Sequence, residues 1–126
     1  PLQAPVRIEY RARSATRRDM SSFWLADPRD YNSGYLFAFA AAGDGSGHRV
    51  TPFGRELISA KTPIVEPNRW YHVIAQLFAS GRVEIIIDGE VCMSARGELP
   101  TETFRHAGLW TWSAAEFDDV RIYTGR

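Results

Sequence analysis

The fold is decided by residues 70–91, which read WYHVIAQLFASGRVEIIIDGEV. Residues 70–78 are rich in β-branched and aromatic side chains, and the small residues at 79–81 are typical of a turn. Residues 83–88 alternate between apolar side chains and mostly polar ones, which is the period of a half-buried strand. The Asp-Gly dipeptide at residues 88–89 favours a type I′ turn into a further strand. The sequence therefore predicts an antiparallel meander.

The segments on either side continue the β pattern. Residues 90–95 complete the meander, and Val6–Arg13 alternates apolar with polar side chains. Further strands are predicted over residues 21–26, 35–39, 49–53, 56–60, 108–113 and 117–123. No segment sustains a helical period, and residues 101–106 allow one helical turn at most. The pattern predicts an all-β fold of about ten strands, most economically a two-sheet antiparallel sandwich.

Length and composition limit the function classes. The chain has 126 residues and 44% hydrophobic residues, so we expect one packed domain over residues 1–126. Fifteen basic and fifteen acidic residues leave no net charge, which argues against a nucleic-acid partner. No apolar stretch approaches the roughly 18 residues that a membrane-spanning helix needs. The single cysteine, Cys92, excludes an internal disulfide and a cysteine-based zinc site.

Four short segments carry a family resemblance. They are NRWYHV at 68–73, GRVEIIIDG at 81–89, GLW at 108–110 and FDDVRIY at 117–123. Together they resemble the concanavalin A-like lectin/glucanase superfamily, most closely its laminin-G-like and 3-keto-disaccharide hydrolase-like bacterial domains. The resemblance covers residues 49–123 well and the first third of the chain loosely. It implies a jelly-roll sandwich and an exported or cell-surface bacterial protein.

The resemblance also bears on the N-terminus and on assembly. Members of the superfamily usually carry more strands ahead of the one that residues 6–13 resemble. We therefore expect a domain that lacks N-terminal strands and leaves a sheet edge near its N-terminus unpaired. An unpaired edge invites pairing with a second copy, so a homodimer through the open edge is predicted.

Saccharide recognition needs flat aromatic faces beside planar polar groups. The candidate ligand-binding residues supply both, and they are Trp24, Tyr35, Arg49, Glu84, Trp110 and Trp112. Tyr31 and Arg69 are further aromatic and polar residues that could contact a saccharide. Trp110 and Trp112 are two residues apart and share a strand face, which makes them either a stacking platform on the concave sheet or core residues between the sheets. The resemblance and these side chains predict a noncatalytic carbohydrate-recognition or accessory domain that binds a saccharide on the concave sheet.

Two alternatives belong to other classes. A glycoside-processing hydrolase similar to the 3-keto-disaccharide hydrolases would need a convergent set drawn from Glu84, Asp30 and His72. The Glu-x-Asp-x-x-Glu pattern of glucanases is absent, and its nearest match, residues 116–121, ends in Arg. A noncatalytic domain is therefore favoured over an enzyme. The third hypothesis is a structural or protein-interaction module without a small ligand.

No cofactor is predicted from the sequence. The histidines have no metal-ligand spacing, and they are His48, His72 and His106. The resemblance implies calcium as a minor candidate, because many laminin-G-like domains bind it, and the loop carboxylates Asp27, Asp30 and Asp44 could supply oxygen ligands. Aspartate is also common in surface turns for backbone reasons, and this second interpretation is the favoured one.

A group of five arginines gives the only local excess of charge, and they are Arg7, Arg11, Arg13, Arg17 and Arg18. Arg7, Arg11 and Arg13 share one face of the first predicted strand. They form either a contact for an anionic polysaccharide or a solvated face paired with Glu9 and with acids of a neighbouring strand. The solvated face is favoured.

Overall fold

A computed structural model describes residues 5–97, 104–111 and 114–124. In this part of the chain the strands are β1 (Val6–Arg13), β2 (Ser21–Leu25), β3 (Gly34–Ala38), β4 (His48–Pro52), β5 (Ile58–Ala60), β6 (Tyr71–Leu77), β7 (Arg82–Ile87), β8 (Glu90–Arg96), β9 (His106–Trp110) and β10 (Glu116–Thr124). A short 3-10 turn at Tyr31–Ser33 precedes β3. No helix among these residues is long and apolar enough to cross a membrane.

The strands form two five-stranded sheets. The first sheet has the order β10-β1-β6-β7-β8, and the second has the order β5-β4-β3-β2-β9. Neighbouring strands pair antiparallel throughout. The predicted meander is β6-β7-β8, in which Val73 lies opposite Ile87 and Leu77 opposite Val83. The prediction of an all-β two-sheet antiparallel sandwich is confirmed.

The core lies between the two sheets. Alternate residues of β1 and β6 point inward, as the period of two requires. The second sheet contributes Phe37 and Val50, which are at most 3% exposed. Buried Tyr10 of β1 donates its hydroxyl to the carbonyl oxygen of Met20 at 2.6 Å. This bond satisfies the one polar atom that the Tyr10 side chain brings into the core.

The outer face of the first sheet is covered by ion pairs. They include Arg7–Glu9 at 2.9 Å, Arg13–Glu116 at 2.9 Å, Arg11–Asp118 at 3.9 Å and Arg82–Glu84 at 2.9 Å. The arginine group of β1 is therefore the solvated, paired face that the sequence favoured. Exposed pairs of this kind contribute little to stability, about 0–1 kcal/mol each.

His72 of β6 has a structural partner on this face. Its Nε2 lies 2.7 Å from Oε1 of Glu9 on β1. Partial burial would raise the pKa of Glu9, but the hydrogen bonds from His72 and Arg7 outweigh it and hold that pKa below its ordinary value. The pair links neighbouring strands across the sheet.

The sequence predicts an unpaired sheet edge near the N-terminus, and the structure has none at β1. β1 is not at an edge, because it pairs with β10 on one side and β6 on the other. Val6 at the start of β1 lies opposite Thr124 at the end of β10. In the described part of the chain the edge strands are β10, β8, β5 and β9. Dimerisation through an open edge stays a prediction.

His48 is a buried histidine that ties two loops together. It is 1% exposed, its Nδ1 accepts a hydrogen bond from the backbone N–H of Ala40 at 3.0 Å, and its Nε2 lies 2.6 Å from the carbonyl oxygen of Pro63. Because Nδ1 is an acceptor, Nε2 carries the proton and the ring is neutral. Burial lowers the pKa of His48 below its ordinary value of 6.5, and the bond to Pro63 only partly opposes the shift.

We expect the domain to lose stability as the pH falls below about 6.5. The unfolded chain takes up a proton at His48 before the folded chain does, so the stabilisation is present above the unfolded pKa and declines towards the folded pKa. The measurement is the free energy of unfolding in urea between pH 5 and pH 8. His48→Asn should lower stability by about 1–3 kcal/mol and flatten this slope. An equally steep slope in the variant would assign the pH dependence to other groups.

Candidate functional site

Two of the predicted ligand-binding residues lie in the core. Trp24 of β2 and Tyr35 of β3 are both 0% exposed. The ring of Trp24 meets that of Phe37 edge-on at 4.7 Å, and the ring of Tyr35 stacks against Phe37 at 5.9 Å. Rings enclosed between the sheets have no face for a saccharide. The structure therefore removes Trp24 and Tyr35 from the candidate site.

Two others lie away from the site or outside the described residues. Glu84 is on the outer face of the first sheet, where it accepts a hydrogen bond from Gln76 at 3.2 Å and pairs with Arg82. This face is on the opposite side of the sandwich from the outer face of the second sheet. Trp112 lies outside the described residues.

The remaining two, Arg49 and Trp110, share the outer face of the second sheet. Trp110 of β9 pairs with Ser21 of β2, and Arg49 of β4 pairs with Ala38 of β3. The small side chains of Ser21 on β2 and Ala38 on β3 thus lie between the large side chains of Trp110 and Arg49. At roughly 4.8 Å per strand, the backbones of β9 and β4 are about 14 Å apart. For Trp110 the core alternative is wrong, because the side chain is only partly buried and lies on this outer face.

A cavity of about 280 Å³ opens between these side chains. We call it the Trp110 pocket, and its lining residues are Arg18, Asp19, Ala38, Ala41, Arg49 and Trp110. Pockets for small molecules span about 300–1,000 Å³, so this one is just below the lower limit. The size suits a single ring better than an extended oligosaccharide.

Tyr31 extends the aromatic surface beside the pocket. Its ring lies nearly parallel to that of Trp110, with 6.1 Å between the ring centroids and 10° between the planes. Tyr31 is 58% exposed. The 3-10 turn that holds it is capped by Asp30, whose carboxylate accepts a hydrogen bond from the backbone N–H of Asn32 at 2.9 Å. Asp30 therefore has a structural role in positioning Tyr31.

The loop between β1 and β2 contributes Arg18 and Asp19. Asp19 is 3% exposed, and its carboxylate lies 3.9 Å from Nε of Arg18. The backbone N–H of Asp19 donates to the carbonyl oxygen of Ala40 at 2.8 Å, which fixes this loop against the β3–β4 loop. Arg17, Asp19 and Ala40 all adopt left-handed backbone angles, with φ between 57° and 60°. Such strain, about 1–3 kcal/mol per residue, is concentrated at functional sites in proteins.

A larger cavity of about 420 Å³ lies beside the β7–β8 turn. Its aromatic residue is Tyr71, which is 1% exposed and already covered by the guanidinium of Arg69, 4.7 Å from the ring centroid. Arg69 is in turn held by Asp88 at 3.3 Å. The face of Tyr71 is therefore occupied by Arg69, and we take the Trp110 pocket, which is lined by a half-buried indole, as the better candidate.

The loop carboxylates proposed for calcium have other partners. Hydrogen bonds from Arg29 hold the pKa of Asp27 below its ordinary value, and hydrogen bonds from Ser46 do the same for Asp44. Within residues 5–97, 104–111 and 114–124, no group of three His, Cys, Asp or Glu side chains is placed to hold a metal ion.

Comparison with known proteins assigns the fold. No protein-family model and no curated protein matches the chain. Among solved structures, it is similar to the carbohydrate recognition domain of Emp47p, with a TM-score of 0.72 and 16% identity over 99% of this chain and 74% of that one. It is also similar to the carbohydrate binding module CBM66 from Bacillus subtilis, with a TM-score of 0.71 and 20% identity over 95% and 75% of the two chains.

A third neighbour is the heptameric SAP-like pentraxin from Limulus polyphemus, with a TM-score of 0.70 and 15% identity over 97% of this chain. The present chain spans 64% of the pentraxin's length. All three neighbours have concanavalin A-like folds, so the fold that the sequence resemblance implied is confirmed.

Proposed function

We propose that this concanavalin A-like domain is a noncatalytic carbohydrate-binding domain and that its site is the Trp110 pocket. One observation carries the proposal: Trp110 and Arg49 stand on either side of two small residues, on the outer face of one sheet. A sugar ring has an apolar face that packs on an indole and hydroxyl groups that need planar polar partners. The pocket offers both kinds of surface.

The neighbouring structures support the same class of function. One is described as a carbohydrate binding module and another as a carbohydrate recognition domain. Their identity to this chain is 20% and 16%, so they share its fold and make saccharide binding the natural hypothesis for its surface pocket.

A noncatalytic role is favoured over a hydrolase by the positions of the candidate carboxylates. A retaining glycosidase needs two carboxyl groups about 5 Å apart in one cleft. Asp30 caps the 3-10 turn beside the second sheet, whereas Glu84 is paired on the outer face of the first. His72, the third candidate, is bonded to Glu9. These side chains do not converge.

We expect Trp110→Ala to weaken saccharide binding by at least about tenfold, which corresponds to about 1.4 kcal/mol. The reason is the loss of the indole that Trp110 contributes to the pocket. The measurement is a glycan-array screen on the purified domain, followed by calorimetric titration of the best ligand. Circular dichroism should confirm that the variant remains folded.

Trp70→Ala is the matched control for this experiment. Trp70 is also a partly buried tryptophan, but it belongs with the first sheet, where the guanidinium groups of Arg11 and Arg13 lie 4.9 and 4.8 Å from its ring centroid. Binding should be unchanged in this variant. Loss of binding in Trp70→Ala but not in Trp110→Ala would move the site to the first sheet. A wild-type domain that binds no glycan would contradict the proposed function itself.

A further inference from the structure

We propose that the Trp110 pocket selects a saccharide residue that carries a carboxylate, of the hexuronic acid class, and that Arg49 binds that carboxylate. The inference rests on the proposed function, since it names the ligand class of the same site.

Arg49 is an exposed arginine, and among the described residues no ion pair and no side-chain hydrogen bond engages its guanidinium. Its neighbours across the strands are Ala38 and Ser59, which are too short to shield it. By contrast, Arg82 on the outer face of the first sheet is paired with Glu84. The donors of Arg49 are therefore free for a ligand.

The charge of the pocket is positive. In the described part of the chain its charged lining residues are Arg18, Asp19 and Arg49. Two of these residues are arginines and one is an aspartate, whose carboxylate lies 3.9 Å from Nε of Arg18, so the formal charge of the described lining is positive. The whole chain has a formal net charge of zero, so this excess is a local property of the pocket. A neutral ligand that covered Arg49 would remove a charge from water without compensation.

Guanidinium geometry favours a carboxylate as the compensating group. The guanidinium is a planar fork of N–H donors that matches the two oxygens of a carboxylate, and such charge-assisted pairs are about twice as strong as neutral hydrogen bonds. In a hexuronic acid the carboxylate is a substituent at the edge of the ring. Because Ser21 and Ala38 lie in the same row between Trp110 and Arg49, a ring stacked on Trp110 can place that edge towards Arg49.

The test uses matched pairs of probes that differ only in charge. Oligosaccharides of glucuronic, galacturonic and mannuronic acid are titrated into the domain together with their methyl esters, in low salt. We expect at least one acid to bind about tenfold or more tightly than its ester, and raised salt to reduce the affinity for the acid but not for the ester. An oligosaccharide of neutral sugars that carries sulfate esters serves as a third probe. It should bind more weakly than the preferred acid.

Arg49→Gln should remove the difference between acid and ester, and Arg49→Lys should restore part of it. Arg55→Gln is the matched control, because Arg55 is an exposed arginine after β4 that does not line the Trp110 pocket. It should keep the full difference. Neutral glycans or esters that bind as tightly as the acids, or sulfated sugars that bind more tightly, would overturn the inference and leave carbohydrate binding intact. Absence of binding to every glycan would instead overturn the proposed function.

Discussion

We expect Trp24→Ala to lower the free energy of unfolding by about 3–5 kcal/mol. The indole is fully buried between the sheets and packs edge-on against Phe37, so its removal leaves a cavity that the surrounding strands cannot close. A domain of this size has a total stability of about 5–15 kcal/mol, so a large share would be lost. The measurement is urea denaturation followed by far-UV circular dichroism.

Trp24→Phe separates packing from hydrogen bonding. The indole N–H of Trp24 is buried and has no hydrogen-bond partner among the described residues. Phenylalanine keeps a ring in the core and removes that unpaired donor, so it should cost less than half as much as alanine. A folded Trp24→Ala variant of unchanged stability that no longer binds saccharide would return Trp24 to the ligand site.

Gly34→Ala should cost about 3 kcal/mol, at the upper end of the range for overpacking. Gly34 begins β3 opposite Leu25, and a Cβ at this position would collide with the backbone carbonyl oxygen of Trp24. It would also lie 2.9 Å from Cα of Leu25. Because the obstacles are backbone atoms, no side chain can rotate to make room, and the central pair of strands must separate.

Gly43→Ala is the matched control for Gly34→Ala. A Cβ on Gly43 would have no heavy atom within 4 Å, and the residue is exposed in the β3–β4 loop. The expected change is within about 0.5 kcal/mol. Equal stabilities of the two variants in urea denaturation would show that β2 and β3 tolerate a wider separation than the structure has.

The sequence predicts strands well where one face is buried and the other is in water. β1 runs over Val6–Arg13, which is the predicted range, because its apolar and charged residues alternate without interruption. β5 is shorter than predicted and begins at Ile58. The segment after Gly54 turns first, and the backbone N–H of Arg55 bonds to the carbonyl oxygen of Pro52. Turn hydrogen bonds of this kind produce no periodic pattern of apolar and polar residues in the sequence, so the start of β5 could not be predicted from it.

The site was harder to predict than the fold, because the face on which a strand side chain lies depends on whether its position is odd or even. Residues 23–25 are all apolar, so their pattern does not tell which side chain enters the core. The structure turns Trp24 inward and Phe23 outward, where the ring of Phe23 lies over Gly108 of β9. The same ambiguity affected Trp110, which is preceded by Leu109. Only the pairing of β2 with β9 fixes these faces.

Arg18 and Asp19 were missed as site residues for a different reason. In the sequence Arg18 belongs to a group of five arginines that begins at Arg7, and the lone aspartate after it has no pattern of its own. Their place in the pocket comes from the bond between Asp19 and Ala40, which joins loops more than twenty residues apart in sequence. A contact of this range is set by the completed fold.

The pairing of Val6 with Thr124 has a practical use in protein engineering. Directly opposed residues of antiparallel strands have Cα atoms about 5 Å apart, which a surface loop of another protein can span without strain. The segment from β1 to β10 is therefore suited to insertion into a host such as a fluorescent reporter. The Trp110 pocket is on the other sheet, so it would face away from the junction and remain open to glycans in solution.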